Sequence, residues 1–106
     1  MSKKNRVQAL LVAAVLSVGA LCFAQSSGEA TYKAKCQMCH GPAGVPNPTM
    51  AKAMGIKGVS DADMKKLTMA QMIESVKSGK NRMPSFKDKL SDAQIKEVVA
   101  YYRGLK

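Results

Sequence analysis

The residues of this chain best equipped for chemistry are Cys36-Gln37-Met38-Cys39-His40. Two thiols at C-x-x-C spacing with a histidine directly after them form the pattern that attaches haem covalently. At the end of a helical turn, the two thiols can reach the two vinyl groups on one edge of a haem. Two thioether bonds then tie the ring to the backbone, and the adjacent imidazole meets the iron from the same side as its proximal ligand. Other uses of a C-x-x-C pair ask for more than this chain offers. A thioredoxin-like redox pair needs a βαβ setting, and no segment here reads as a strand. A closed zinc site needs four ligands, whereas the chain has one histidine and only one cysteine besides the pair, Cys22, in its apolar N-terminal stretch.

With a single histidine, the chain has no second imidazole for the iron, so the distal position falls to a methionine, a lysine, water or nothing. Seven methionines lie beyond residue 24: Met38, Met50, Met54, Met64, Met69, Met72 and Met83. Methionine is an ordinary filler of irregular cores, and each of the seven has that simpler explanation. Met69 and Met72 fall on the packing face of an expected helix. Met50 and Met54 follow the proximal loop too closely to cross to the far side of a ring. Met83 differs: Gly79-Lys80-Asn81-Arg82 precedes it and Pro84 follows, a stiff loop between two helices and 43 residues beyond His40. Met83 is therefore the expected distal ligand.

These groups are positioned by helices and one loop. Ser27, as N-cap, and Glu29, near the positive end of the dipole, open a helix that delivers Cys36 in its last turns and stops at Gly41-Pro42. Gly41 to Pro48 contains two glycines and three prolines and reads as loop. The carbonyl of Pro46 or Pro48, with Pro48 preferred, is expected to accept from His40 Nδ1 and fix the ring. Thr49 to Met54 forms a short turn of helix ending at Gly55. Ser60-Asp61-Ala62-Asp63 opens a brief helix to Leu67, and the capping box Thr68-Met69-Ala70-Gln71 opens another that ends at Gly79. The clearest element is last: Ser91-Asp92-Ala93-Gln94 is a full capping box, and Ile95, Val98, Val99 and Tyr102 form one apolar stripe closed by Arg103 and Gly104.

Residues 1–24 read as a cleaved signal peptide: a basic start, an 18-residue apolar stretch from Val7 to Ala24, and small residues around Ala24. A retained membrane anchor is the rival, since that stretch sits at the short edge of spanning length. A lipoprotein use of Cys22 is weaker, with Leu21 before it and Gly19 where a leucine is wanted. Cleavage leaves 82 residues, Gln25 to Lys106, carrying 14 basic and 7 acidic side chains. That is one small domain with little apolar chain for a core of its own, so a flat apolar haem would complete it. The positive charge, with no nucleic-acid-reading motif and few aromatics, serves solubility first and attraction to acidic protein or membrane partners second.

Three segments together resemble class I cytochrome c: Cys36-Gln37-Met38-Cys39-His40-Gly41, then Gly79-Lys80-Asn81-Arg82-Met83-Pro84-Ser85-Phe86, then the run Leu90 to Arg103. The likeness is to the small monohaem cytochromes c of bacterial periplasms and thylakoids, and it covers nearly all of residues 25–106. It implies an all-α cytochrome c fold, three to five helices wrapped around one covalently attached haem, with the N- and C-terminal helices packed together. It also implies thioethers to Cys36 and Cys39, and axial ligation by His40 and Met83. The chain departs from it in having no tryptophan, in the loop Pro42-Ala43-Gly44-Val45, and in the loosely matching segment Met50 to Leu67.

The expected function is that of an electron carrier rather than an enzyme: a periplasmic monomer passing single electrons between redox partners, with no nucleic acid and no stable membrane insertion after cleavage. Lys77, Lys80, Arg82, Lys87 and Lys89 flank the Met83 loop and either steer an acidic partner or merely solvate the surface. Two other classes remain open at this stage. A haem-based sensor or peroxidase-like protein would need a displaceable sixth ligand, and a membrane-tethered relay subunit would keep the N-terminal segment.

Overall fold

The computed structural model describes residues 27–105, so the expected signal segment and its cleavage site lie outside the described residues, as does Lys106. Helix α1 occupies 27–35 and α2 Gln37–His40; a turn at Cys36 interrupts what is otherwise one helix. Then follow α3 Pro48–Met54, α4 Ala62–Lys65, α5 Met69–Ser78 and α6 Asp92–Arg103. Among the described residues there is no strand; the one β feature is an isolated antiparallel bridge between Lys80 and Met83.

Local chemistry explains where these helices begin and end. Both expected capping boxes are present. Gln71 N donates to Thr68 Oγ1 at 3.1 Å and Thr68 N to Gln71 Oε1 at 2.9 Å; Ser91 and Gln94 make the same pair of bonds at 3.2 and 2.9 Å. Asn47 caps α3, its Oδ1 accepting from Met50 N at 2.8 Å, with Pro48 at the first helical position and Gly55 ending the helix at φ +68°. Two expectations shift. Asp61, not Ser60, caps α4, since its carboxylate accepts from Asp63 N at 2.9 Å and its charge suits the positive helix end. The helix stops at Lys65, and Leu67 is reached by a tight turn, its N–H donating to Met64 O at 3.2 Å. Ser27 already has helical backbone instead of the N-cap conformation expected of it.

The apolar stripe of α6 forms the heart of the core. Ile95, Val98, Val99 and Tyr102 are all buried, together with Met72 of α5, Phe86 and Leu90 of the connecting loop, Val59 and Tyr32. Helix α5 packs along α6. Helix α1 meets α6 at Gly28, where an added Cβ would lie 2.6 Å from the Glu97 carbonyl oxygen and 3.2 Å from Tyr101 Cβ. One turn further on, the Tyr32 ring lies 5.4 Å from that of Tyr101 and 6.1 Å from that of Tyr102, centroid to centroid. The Tyr32 hydroxyl donates to Gly41 O at 2.5 Å, tying the helix to the loop after His40.

The close approach at Gly28 yields a direct test. Gly28→Val forces the two helices apart and should cost roughly 1–3 kcal/mol, the usual penalty of overpacking. A lower urea midpoint at unchanged slope is the expected reading; a midpoint equal to the parent's would remove the crossing.

Candidate haem site

A cavity of about 400 Å³ lies between α1–α2 on one side and α5–α6 on the other. That size suits a cofactor-sized ligand, and its lining is mainly apolar with a few polar groups. Cys36 and His40 enter it from α1–α2, Met72 and Val76 from α5, and Val98, Val99 and Tyr102 from α6. Ile56, Met64 and Leu67 close it from the segment around α4, and Met83 lines it from the loop between α5 and α6. Of the four expected site residues, Cys36, His40 and Met83 therefore share one cavity. Cys39 is half-buried one turn beyond Cys36 and is not among the lining residues. Its spacing of three from Cys36 still puts both thiols on one helical face, and Cys39 N donates to Cys36 O at 3.2 Å.

Burial sets the protonation of these groups. It lowers the pKa of His40, so the imidazole is neutral at neutral pH, the form that ligates a metal. It pushes the Cys36 thiol up to about 11, with the neighbouring Cys39 adding to the effect. Tyr32 is pushed up to about 12, mainly by burial, and burial also raises Tyr102.

Two polar atoms around this cavity are buried without a hydrogen-bond partner, His40 Nδ1 and the Tyr102 hydroxyl. Their rings meet edge to face at 5.4 Å. Buried unpaired polar groups cost about 1–3 kcal/mol each, and native structures concentrate such exceptions at functional sites. An apolar cavity with a neutral imidazole, two cysteines at C-x-x-C spacing and a thioether on a loop has the donor set that a covalently held haem needs. The residues present fit that group. The carbonyl expected to hold His40 Nδ1 does not do so. Pro48 is the first residue of α3, so its carbonyl faces along the helix ladder, and Nδ1 has no partner.

The loop that carries Met83 is tightly built. Gly79 ends α5 at φ +78°, and a Cβ there would lie 2.8 Å from Met83 O and 2.9 Å from Ser85 N. Only glycine allows the loop to fold back this closely. Lys80 N donates to Met83 O at 3.1 Å and Met83 N to Lys80 O at 2.9 Å, around a turn in which Asn81 has φ +55°. Met64 and Met72 also line the cavity. The Met72 sulfur is already engaged, 3.7 Å from the Arg103 guanidinium. Sequence reasoning placed Tyr102 on a packing stripe and missed its place beside His40. A tyrosine on an otherwise aliphatic stripe, with a hydroxyl in need of a partner, was the available signal.

Comparison with known proteins gives the family. Residues 23–101 match the family model described as cytochrome C oxidase, cbb3-type, subunit III. Cytochrome c6 of Nostoc sp. is 37% identical over 81 residues, covering 74% of this chain and 68% of that protein. Cytochrome c-555 of Chlorobaculum thiosulfatiphilum is 34% identical over 91 residues, covering 74% and 93%. Among solved structures, the KustC0563 c-type cytochrome superposes with a TM-score of 0.67 at 31% identity, over 74% of this chain and 96% of that one. The chain belongs to the c-type cytochrome family, as a small class I cytochrome c with the all-α fold of that class. Its cofactor is one covalently bound haem c, and it is an electron carrier working with redox partners.

Because the core is arranged around the cofactor cavity, folding and haem attachment form one free-energy change. Protein made in a host without haem attachment should give the far-UV circular dichroism of a largely unfolded chain. A helical spectrum with a cooperative melt would contradict this.

Proposed function

We propose that the chain is a soluble, monomeric, His/Met-ligated electron shuttle working outside the cytoplasm, with no substrate chemistry of its own. Cys36 and Cys39 hold the haem through thioethers, His40 is the proximal ligand and Met83 the distal one. The observation that carries the reading is that His40 and Met83, 43 residues apart, line one apolar cavity from different elements. Bound haem supplies a one-electron couple at its iron. An imidazole and a thioether suit both oxidation states, and the soft sulfur with the apolar surroundings favours the less charged ferrous one.

Location outside the cytoplasm rests on the signal-like segment 1–24 and on the extracytoplasmic chemistry of haem attachment in bacteria. Among the described residues, no helix is long and apolar enough to cross a membrane.

For partner docking, the five cations around the Met83 loop are not equivalent. Lys77 pairs with Asp92 at 3.2 Å, Lys89 lies 5.4 Å above the Phe86 ring, and Arg82 donates to Ala53 O. Lys80 and Lys87 are exposed, and these two are best placed to steer an acidic redox partner. Electron-transfer rate with such a partner should fall as ionic strength rises; a flat profile removes the steering role.

Ligation is tested by spectroscopy of the oxidised holoprotein. The sulfur-to-iron charge-transfer band in the near infrared should be present in the parent and absent in Met83→Ala. Persistence of the band in that variant would transfer the ligand role to another residue.

A further inference from the structure

The Met83 loop is fastened to its own side of the cavity several times over. Besides the Lys80–Met83 bridge, the Ser85 hydroxyl donates to Lys77 O at 2.5 Å and Phe86 N donates to Val76 O at 2.9 Å. All of these bonds stay within the loop or run to α5. One side-chain bond leaves both: Arg82 Nη1 donates to the carbonyl of Ala53, 29 residues away. That carbonyl belongs to the last turn of α3. Carbonyls there lack ladder partners and carry the negative end of the helix, so a guanidinium is their natural donor. Gly55 and Ile56, just beyond Ala53, line the same cavity as Met83.

We propose that Arg82 is a positioning residue for the distal ligand, its bond to Ala53 clasping the Met83 loop to the end of α3 and opposing replacement of the Met83 sulfur by an external ligand. The proposal rests on the reading of Met83 as that ligand. Movement of the Met83 loop away from the end of α3 breaks the Arg82–Ala53 bond. The bonds to α5 can survive that movement, because they hold the loop's other flank. Arg82 is thus set apart from Lys80 and Lys87 by its bond to the fold, although all three side chains are exposed.

The test is the rate at which imidazole binds the ferric holoprotein, followed in the visible spectrum. Arg82→Gln should bind imidazole about three- to tenfold faster than the parent, the factor carried by one ordinary hydrogen bond, with the near-infrared band still present before imidazole is added. Arg82→Lys, which keeps a cationic donor, should fall between the two. Ile95→Val is the control: Ile95 is fully buried in α6, is not among the residues lining the cavity and has no part in the Arg82–Ala53 bond. It should lower the urea midpoint and leave the imidazole rate within about twofold of the parent, as expected for sites without shared partners. A parent-like rate in both Arg82 variants overturns the clasp, and so does an equal acceleration in Ile95→Val. If Met83→Ala keeps the near-infrared band, the ligand assignment itself fails, an outcome separable from either of these.

Discussion

The packing constraint on which the rest of the described structure depends is the crossing of α1 and α6 at Gly28, where backbone lies against backbone. That contact fixes the angle at which α1 leaves α6, and therefore where Cys36 and His40 stand relative to the inner face of α6. Tyr32 reinforces the placement twice, through its ring against Tyr101 and Tyr102 and through its hydroxyl on Gly41 O. The wall opposite depends on the same helix: Ile95, Val98 and Val99 anchor α6, and α5 packs along it. Gly79 then turns the chain so that Met83 returns to the cavity. A core of this size cannot be generous, and its apolar surface is arranged as much around the cofactor site as around itself.

The division of labour among side chains follows from this geometry. The groups proposed to hold the cofactor sit on short, turned segments: Cys36 with α2, a helix of four residues, and the loop from Gly79 to Phe86. Most groups that hold the fold sit on the longer helices, with Val59, Phe86 and Leu90 added from loops. A carrier of single electrons gains from such rigidity, because little rearrangement accompanies a change of charge at the iron. The apolar lining supplied by Val76, Val98, Val99, Ile56 and Leu67 would favour the ferrous state of a haem held there.

Much of this was legible in the residues. The α6 stripe repeats at helical spacing beneath a complete capping box, and every member of it is buried. The two capping boxes, the stop at Gly79 and the stiffness around Met83-Pro84 are local chemistry, so they are readable locally. The departures are long-range or competitive. Asp61 displaced Ser60 as a cap because two acceptors stood side by side and the charged one suits a helix N-terminus better. The Gly28 contact, the Arg82–Ala53 bond and the Tyr102–His40 pair each join distant parts of the chain, and nothing in the neighbouring residues announces them. The acceptor expected for His40 Nδ1 failed for a related reason. Pro48 reads as loop from its neighbours, yet the Asn47 cap recruits it into α3.

One measurement bears most directly on the account, the intact mass of the purified protein from a host competent in cytochrome c maturation. The account predicts the polypeptide plus a single haem, retained after acid–acetone extraction, with Cys36 and Cys39 both resistant to alkylation. A bare polypeptide mass with two reactive thiols, or a haem that extraction strips away, would contradict it.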